Sequence, residues 1–573
     1  MRLGGASRRS GPALATDGAF TGSCYAGPVT LEPVRRTRRR RHRARNALWA
    51  FGLTLVACAL AAGAALLWWP DPRVEPDAEA LARIVEPGYA GHVSEVVVRR
   101  PDGRTIPVAV RHGRLWPGKQ LRAGEKLTVE VTVRRPGWAG WLVGNTASAT
   151  HVVRTPSARL RGRWLELDQG EPVVARFGTP VRTVVLRVHG NEQTLRFAHP
   201  RRTVDVGVSV TAHEPAGSVT IAAAPRSWER TPEPTRLSWF PPRPRAQALV
   251  QPASGAELEP DRPITLTFSR PVSTIFGARL PTLTPAAPGR WRHLDAHTLS
   301  FEPRGLGFPL SGHVAVRLPK PIELPQTAGR RTTRTLEWDV RHGTVLRLEQ
   351  LLAQAGYLPL TWSPAADPPK PSVRSELAAT ADPPAGRFTW RYENTPHELH
   401  AIWKTGEWNE IVRGAVMMFQ HEHHLDVDAF VGPQVWGALL ADTLAGRKKT
   451  DGYSYVYVHR NVPQSLTLWH NGETILSSPG NTGVPAAPTQ LGTFPVFEHI
   501  PVGTMSGTNP DGTHYHDPGI RWISYFNHGD ALHAFPRASF GTPQSLGCVE
   551  LPLSSAAKVW PYTPIGTLVT VEN

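Results

Sequence analysis

Proline and glycine punctuate this chain so densely that long helices are excluded from most of it. The 573 residues include 56 prolines and 51 glycines, and proline interrupts both helix interiors and central strands. Short strands joined by turns tolerate such spacing. Because the length suggests roughly three to five domains, the fold class that we predict is multidomain and mainly β.

Alternating apolar residues mark individual strands in the first part of the chain. Residues 127–133 and 204–210 alternate between apolar and other side chains, which is the period of a half-buried strand. We predict one or two β-sandwich modules over 88–245. The run 263–272 resembles a strand of bacterial Ig-like domains, so an Ig-like β domain is predicted at 246–341. Such modules act as spacers or docking surfaces, and we assign no chemistry to them.

A basic tail and an apolar segment precede the β region. Residues 1–46 contribute +9 to the net charge of +17, and the 23 residues of 47–69 carry no charge, which is enough to span a bilayer with some tilt. Basic residues before a span place the N-terminus in the cytoplasm. Because this position accounts for the basic run, we expect no nucleic-acid partner. We predict a single-pass helix in the cell membrane, a spacer at 70–87 and an extracytoplasmic remainder. A lipoprotein processed at Cys58 and a cleaved secretory signal are the alternatives.

A helical period replaces the strand period in residues 342–446. Apolar residues at helical spacing end at Gly356, and a second such run covers 411–419. The pair Phe419-Gln420 and the segment 428–439 resemble the small helical peptidoglycan-binding domain, although a proline-rich insertion separates the two helices. The resemblance implies a helical module that binds peptidoglycan glycan.

A group of histidines follows the second predicted helix. His421, His423 and His424 lie beside Asp426 and Asp428, and imidazole and carboxylate groups are zinc ligands. The spacing matches no established zinc motif, and a polar exposed turn accounts for these residues. We therefore expect neither a metal nor a cofactor.

Cys548 is the only cysteine beyond residue 58. On the oxidising side of a membrane it has no partner for an intrachain disulfide. It is either an inert buried residue or a reactive thiol. His533 lies 15 residues before it, and a nearby imidazole is a common means of activating a thiol. The surrounding sequence favours the reactive thiol.

Three sequence blocks surround this cysteine and histidine. They are Ser478-Pro479-Gly480-Asn481-Thr482-Gly483 with residues 488–494, then Trp522 to Phe526 leading to Leu532-His533, and finally Ser545-Leu546-Gly547-Cys548-Val549 with the strand-like run 566–571. Together and in this order they resemble the catalytic domain of the L,D-transpeptidases, the YkuD-type fold. The resemblance implies a β-rich catalytic domain at residues 450–573.

The resemblance also implies catalytic roles. Cys548 would be the nucleophile, and His533 would hold or accept its proton. Gly547 would leave room for the substrate, and backbone N–H groups near Gly547 and Cys548 would stabilise the oxyanion. Ser545 would order this loop by hydrogen bonding, unless it is a plain turn serine. Because Ala534 follows the histidine, only a backbone carbonyl is available to orient the ring.

Three further residues are predicted to bind substrate. Trp522 and Tyr525 would line the cleft for the donor peptide, with core packing as the alternative for both. Arg537 would bind a substrate carboxylate through its planar fork of donors, with an exposed surface arginine as the alternative.

Two positions depart from the family pattern. The family usually has histidine where Leu546 stands, and commonly arginine or asparagine where Glu550 stands. A carboxylate near Cys548 raises the pKa of the thiol and weakens the binding of acidic stems. A basic residue that compensates Glu550 cannot be identified from the sequence.

The resemblance implies a cell-wall enzyme. Such enzymes form a cysteine thioester with a peptidoglycan stem tetrapeptide and transfer it to an amine of another stem, which cross-links the wall. An L,D-carboxypeptidase that uses water as the acceptor and a catalytically inactive wall-binding scaffold are the alternatives. The reactive thiol also makes carbapenem-type β-lactams predicted covalent inhibitors.

Overall fold

The computed structural model describes residues 49–60, 63, 71–86, 91–138, 140, 144–188, 190–325, 331–367 and 371–573. The chain divides into two compact units, one formed by residues up to 119 with 126–155 and the other by 120–125 with 156–573. The boundary at residue 155 lies inside the region 88–245, which the sequence left as one module or two. All predicted site residues belong to the second unit.

The predicted membrane span is only partly described. Residues 49–60 are helical, whereas residues 47–48, 61–62 and 64–69 of the span lie outside the described residues, as does the tail 1–46. Among the residues that are described, no helix has the length and apolar character needed to cross a membrane.

The described residues of the first unit form two four-stranded sheets, with strand orders β1-β2-β6-β5 and β4-β3-β8-β9, in addition to the helical residues 49–60. Leu127, Val129 and Val131 of β8 are fully buried, which confirms the strand predicted from alternation over 127–133. The strands are β1 (Arg73–Glu75), β2 (Ala82–Val85), β3 (His92–Arg99), β4 (Thr105–Ile106), β5 (Val108–Arg111), β6 (Arg114–Pro117), β8 (Lys126–Arg134) and β9 (Thr146–Arg154).

The second unit begins with a six-stranded sheet of order β10-β12-β14-β16-β11, in which β13 pairs with β12. The long β12–β13 hairpin contains the predicted strand at 204–210 except for its last residue. A two-stranded ladder joins β7 to β15. The strands are β7 (Leu121–Arg122), β10 (Leu160–Arg161), β11 (Trp164–Glu166), β12 (Pro172–Val188), β13 (Asn191–Ser209), β14 (Gly217–Ala224), β15 (Glu229–Arg230) and β16 (Thr235–Phe240).

Residues 246–341 contain two further four-stranded sheets, of orders β17-β19-β22-β21 and β18-β24-β23-β20. Phe268 and Leu299 of one sheet and Val316 and Leu336 of the other share one buried core, so the region is a β-sandwich; its Ig-like assignment stays a prediction. The elements are β17 (Ala248–Gln251), β18 (Glu257–Leu258), β19 (Ile264–Phe268), α1 (Val272–Phe276), β20 (Thr282–Thr284), β21 (Gly289–Asp295), β22 (Thr298–Pro303), β23 (His313–Leu324) and β24 (Arg331–Val340).

Residues 342–367 and 371–446 contain five helices and one two-stranded antiparallel sheet. Thr344 and Asn409 cap the two helices predicted from their period, each accepting a backbone N–H in the first turn. The predicted proline-rich insertion contains a helix that we did not predict, with a capping box between Ser372 and Ser375. The elements are α2 (Val345–Gln354), β25 (Leu360–Pro364), α3 (Val373–Ala381), β26 (Gly386–Trp390), α4 (His397–Ile402), α5 (Glu410–Glu422) and α6 (Pro433–Ala445).

The last part of the chain has two sheets, of orders β29-β28-β27-β35-β30 and β31-β32-β33-β34. Val456 and Leu468 of the first sheet pack against Leu532 and Val549 of the second. The elements are β27 (Ser454–His459), β28 (Ser465–His470), β29 (Glu473–Pro479), β30 (Gly492–Pro495), β31 (Glu498–Thr508), β32 (His514–Asn527), β33 (Asp530–Ala534), β34 (Val549–Leu551), α7 (Leu553–Val559) and β35 (Leu568–Glu572).

The helices of 342–446 share a core with the five-stranded sheet. Tyr455, Trp469 and Leu568 on the other face of that sheet belong to the same buried cluster as residues of α2, α5 and α6. A Cβ added to Gly414 of α5 would lie 2.5 Å from the carbonyl oxygen of Gly566, so the backbones approach closely there. The helices, the five-stranded sheet and the four-stranded sheet therefore form three consecutive layers. The four-stranded sheet is the outer sheet, and it carries the predicted catalytic residues.

Candidate active site

Strand pairing brings the three sequence blocks together. Strand β34 runs parallel to β33, so that His533 is the register partner of Glu550. On its other side, Asn481 pairs with Glu550 and Gly483 pairs with Ser545 through isolated bridges. The first and third blocks, more than sixty residues apart in sequence, are therefore adjacent, with the histidine block beside them.

The predicted nucleophile and base lie on the same face of the outer sheet. Successive side chains of a strand point to opposite faces, and Leu532 and Val549 point into the core between the sheets. Cys548 instead packs with Ala531 on the opposite face. His533 lies two residues after Ala531 in β33, and its ring contacts Phe535 with centroids 5.9 Å apart. Thiol and imidazole thus share the outer face.

The His533 ring is held in one tautomer. Its Nδ1 lies 3.1 Å from the carbonyl oxygen of Ala534, which is the backbone contact expected from the sequence. Because a carbonyl only accepts, Nδ1 carries the hydrogen and Nε2 keeps its lone pair. The side chain is buried, and burial lowers the pKa of His533. The imidazole is therefore neutral at neutral pH, with Nε2 as an available base.

The Cys548 thiol is neutral in the resting protein. Its Sγ donates to the carbonyl oxygen of Gly529 at 3.5 Å. Burial of the sulfur, followed by the negative charges of Asp530 and Glu550, raises the pKa of Cys548 to about 12. A thiol with this pKa reacts only if a base removes its proton during the attack.

Ser545 is hydrogen-bonded within the loop around the thiol. Its Oγ donates to the carbonyl oxygen of Cys548 at 2.5 Å and accepts the N–H of Gly547 at 3.3 Å. The side chain is buried, so both bonds are shielded from water. Ser545 is thus hydrogen-bonded on both sides of the residue pair Gly547-Cys548, and its role in ordering the loop stays a prediction.

Gly547 is required by the backbone and by a neighbouring carboxylate. Its φ of +117° lies in a region that side chains rarely adopt, and a Cβ there would lie 2.2 Å from Oδ1 of Asp530. The space beside Gly547 is thus occupied by Asp530. The carboxylate of Asp530 therefore fills the space in which the sequence predicts the substrate.

Asp530 is a functional candidate that the sequence reasoning missed. Its Oδ2 accepts the backbone N–H of Gln490 at 3.3 Å and the side-chain amide of Asn527 at 3.5 Å. Burial raises the pKa of Asp530. The available signal was a carboxylate three residues before His533, but nothing in the sequence indicated that the turn at His528-Gly529 would direct it toward the thiol.

Arg537 and Glu550 form a bidentate ion pair. Nε and Nη2 of Arg537 donate to the two carboxylate oxygens of Glu550 at 2.8 and 2.7 Å, and Nη2 also donates to the carbonyl oxygen of Gln544 at 3.1 Å. The guanidinium lies 4.6 Å from the ring centroid of Phe535. Arg537 is therefore neither a free carboxylate binder nor an isolated surface residue. It supplies the charge that compensates Glu550.

The two predicted cleft aromatics lie on opposite faces. Trp522 has a φ of +58° and packs against the core between the sheets, so the core-packing alternative holds for it, and the predicted role in substrate binding does not fit its position. Tyr525 packs on the outer face with Cys548. Tyr515 was not predicted; burial is the largest cause that raises the pKa of both tyrosines.

A cavity of about 720 Å³ is lined in part by Ala534 and Phe535, the two residues that follow His533 in the chain. It is large enough for a short peptide segment. Its lining alternates charged and apolar groups from β32, from the loop after β33 and from the start of α7: Asp517, Arg521, Phe535, Arg537, Phe540 and Leu553.

Asn481 fixes the loop that leads to the cysteine. It is fully buried, and its Oδ1 accepts the N–H groups of Gly541 and Thr542 at 2.9 and 3.3 Å. In the sequence, Asn481 is recognisable only as a member of the first motif block. The structure gives it a role, because these bonds tie the first block to the 535–545 loop.

His423, from the histidine group after α5, is hydrogen-bonded to protein groups through both ring nitrogens. His423 lies 2.7 Å from Asp442 through Nε2 and 3.0 Å from the carbonyl oxygen of Phe419 through Nδ1. In the part of the chain that the structure covers, no group of three or more His, Cys, Asp or Glu side chains is placed to hold a metal ion.

Residues 454–571 match the model of the YkuD family, the L,D-transpeptidase catalytic domain. The chain thus carries an L,D-transpeptidase catalytic domain over these residues, and the recognised motif blocks, the two sheets and the Cys548–His533 pair all lie within it. No curated protein matches the chain significantly.

Several solved L,D-transpeptidases are similar to parts of the chain. The catalytic domain of an E. faecium L,D-transpeptidase is 25% identical, covering 21% of this chain and 96% of its own, with a TM-score of 0.20. An L,D-transpeptidase from Mycobacterium smegmatis is 14% identical, covering 57% and 99%, with a TM-score of 0.20. L,D-transpeptidase 3 from Mycobacterium tuberculosis, in complex with a faropenem-derived adduct, is 12% identical, covering 57% and 98%, with a TM-score of 0.20. The domain assignment rests on the family match alone.

Proposed function

We propose that this protein is a cell-wall L,D-transpeptidase in which Cys548 forms a thioester with a peptidoglycan stem tetrapeptide. The acyl group then passes to an amine of another stem, and the wall is cross-linked. The observation that carries the proposal is the placement of Cys548 and His533 on one face of the outer sheet, with the Nε2 lone pair of His533 available.

The first half-reaction uses the thiol as nucleophile and the imidazole as base. As Sγ of Cys548 attacks the carbonyl carbon of the third stem residue, Nε2 of His533 takes the thiol proton. The tetrahedral intermediate collapses by breaking the C–N bond to the terminal D-residue. The departing amine takes the proton from His533, which leaves a thioester and a neutral imidazole.

The developing oxyanion needs hydrogen-bond donors near the cysteine. The N–H of Gly547 is already engaged by Ser545 Oγ at 3.3 Å, so the backbone N–H of Cys548 is the better donor. Ser545 also holds the Cys548 carbonyl. Its role in the proposal is to fix the direction of this backbone segment.

Intact mass spectrometry of the purified protein with a stem tetrapeptide tests the proposal. A covalent adduct should form on the native protein and on Cys58→Ala, the control for loss of a thiol elsewhere, but not on Cys548→Ala. A peptide dimer joined through the third residue would identify a transferase, and a tripeptide alone would identify the L,D-carboxypeptidase alternative. A Cys548→Ala variant that still cross-links would disprove the nucleophile. Absence of adduct and product with wall binding retained would favour the scaffold alternative.

We also propose that carbapenem-type β-lactams acylate Cys548. One solved relative is described in complex with imipenem and another as acylated by ertapenem. A thiol beside a neutral imidazole supports the same ring-opening attack here. Incubation with imipenem should add one drug mass to the native protein and none to Cys548→Ala; no adduct on the native protein would refute this.

Peptidoglycan lies outside the cytoplasm, so we propose that the catalytic domain acts on the extracytoplasmic side, attached to the cell membrane through the N-terminal segment. Protease added to intact spheroplasts should then degrade the catalytic domain. Protection of the domain until the membrane is permeabilised would contradict this placement.

A further inference from the structure

Two carboxylates act on the predicted nucleophile, but only one is paired with a cation. Glu550 is held by both donor edges of Arg537. Asp530 accepts one backbone N–H and one side-chain amide, and among the described residues no ion pair to it is formed. The charge of His528, which lies exposed in the adjacent turn, is the smallest of the causes that lower the pKa of Asp530. Asp530 is therefore the uncompensated negative charge at this site.

The position of Asp530 is set by groups that also position the thiol. Gly529, the residue before it, provides the carbonyl that accepts from Cys548 Sγ. The Oδ1 atom of Asp530 lies against Gly547, the residue before the cysteine, and would be 2.2 Å from a Cβ added there. The carboxylate is only partly exposed, so it lies beside the loop that bears the thioester rather than in bulk solvent.

Asp530 hinders the first half-reaction. Its charge is one of the causes that raise the pKa of Cys548, and a neighbouring anion opposes formation of the thiolate. A neutral side chain at this position would make loss of the thiol proton, and therefore acylation, easier. The second half-reaction has the opposite requirement, because its substrate is a primary amine that carries a positive charge at neutral pH.

We propose that Asp530 is a further catalytic residue, which binds the ammonium group of the acceptor stem beside the Cys548 thioester and removes its proton. This inference rests on the proposed transpeptidase function and concerns only its second half-reaction. It predicts selection for cationic acceptors over water.

The second half-reaction moves two protons off the acceptor nitrogen. The Asp530 carboxylate takes one proton from the acceptor ammonium, which becomes a neutral amine. The amine nitrogen attacks the thioester carbonyl, and a C–N bond forms while the C–S bond breaks. Nε2 of His533 receives the second nitrogen proton and passes it to the departing sulfur, so that the thiol is regenerated. The carboxylic acid on Asp530 loses its proton to water.

Asp530→Asn tests the inference, because an amide keeps the oxygen that accepts the Gln490 N–H. Acylation by the stem tetrapeptide should proceed at an unchanged or higher rate, since an anion near the thiol is removed. The ratio of cross-linked dimer to hydrolysed tripeptide should fall by about 10²-fold, the lower end of what a general base contributes. Glu498→Gln, which removes an exposed carboxylate of the same sheet, should leave the ratio unchanged.

A neutral acceptor separates recognition of the ammonium from a structural role. Hydroxylamine is uncharged at the pH of the assay, so its attack on the thioester should be equally fast in the native protein and in Asp530→Asn. A ratio of dimer to tripeptide that is unchanged in Asp530→Asn would overturn the inference, as would an equal loss with hydroxylamine. No acylation of the native protein would instead count against the proposed function itself.

Discussion

Breaking the Arg537–Glu550 pair should impair both stability and acylation. Glu550 is 5% exposed at its side chain and Arg537 is 31% exposed. Arg537→Gln would leave a nearly buried carboxylate without its cation. Removal of one partner of a fully buried pair costs about 3–5 kcal/mol, and partial exposure of the arginine reduces this. We expect the free energy of unfolding to fall by about 2 kcal/mol.

The same change should slow the reaction of the thiol. Glu550 is the register partner of His533 and one of the charges that raise the pKa of Cys548. Without Arg537 its charge acts unopposed, so the pKa of the thiol rises further. Removal of the thiol proton during the attack then costs more free energy, and each added ~1.4 kcal/mol slows acylation about tenfold.

Denaturant unfolding and the rate of adduct formation with imipenem measure the two effects. The double variant Arg537→Gln/Glu550→Gln removes the unpaired charge, so it should recover most of the acylation rate and part of the stability. If Arg537→Gln left both quantities unchanged, the pair would contribute nothing and the charge argument would be wrong. If the double variant were as slow as the single one, the effect would come from lost packing against Phe535.

Three further predictions concern the same domain. Ser545→Ala leaves the Gly547 N–H and the Cys548 carbonyl without their hydrogen-bond partner, so the free energy of chemical unfolding should fall by about 1–3 kcal/mol and acylation should slow. A variant with native stability and rate would exclude the loop-ordering role. Gly566→Ala should destabilise far more than Gly512→Ala, because both have positive φ but only Gly566 meets a backbone oxygen, 2.3 Å away; equal losses would show that the close approach to α5 is unimportant. Burial lowers the pKa of His533, so the fold should lose stability as the pH falls below the unfolded value of about 6.5. For the same reason the acylation rate should fall only below that pH, and a pH–rate profile with its acid limb above pH 6.5 would contradict this.

The motif blocks and several secondary-structure elements could be predicted from the sequence because they depend on local order. Alternation over 127–133 requires a half-buried strand in any sandwich, and helical spacing before Gly356 requires a helix that ends there. The separation of Trp522 and Tyr525 by three positions also indicates that they face opposite ways, because side chains alternate between the two faces of a strand. A substrate cleft on one face could not include both.

The sequence by itself determined a mainly β chain and a cysteine and histidine in recognisable blocks. Only the tertiary structure decided what surrounds them. The pairing of Asn481 with Glu550, the ion pair to Arg537 and the placement of Asp530 against Gly547 each join residues from different strands or loops, at least 13 positions apart in the chain. Such contacts depend on strand register and loop path, which no local pattern encodes. The shared core of α5 and the catalytic sheet has the same origin, because burial of a face depends on which other element covers it.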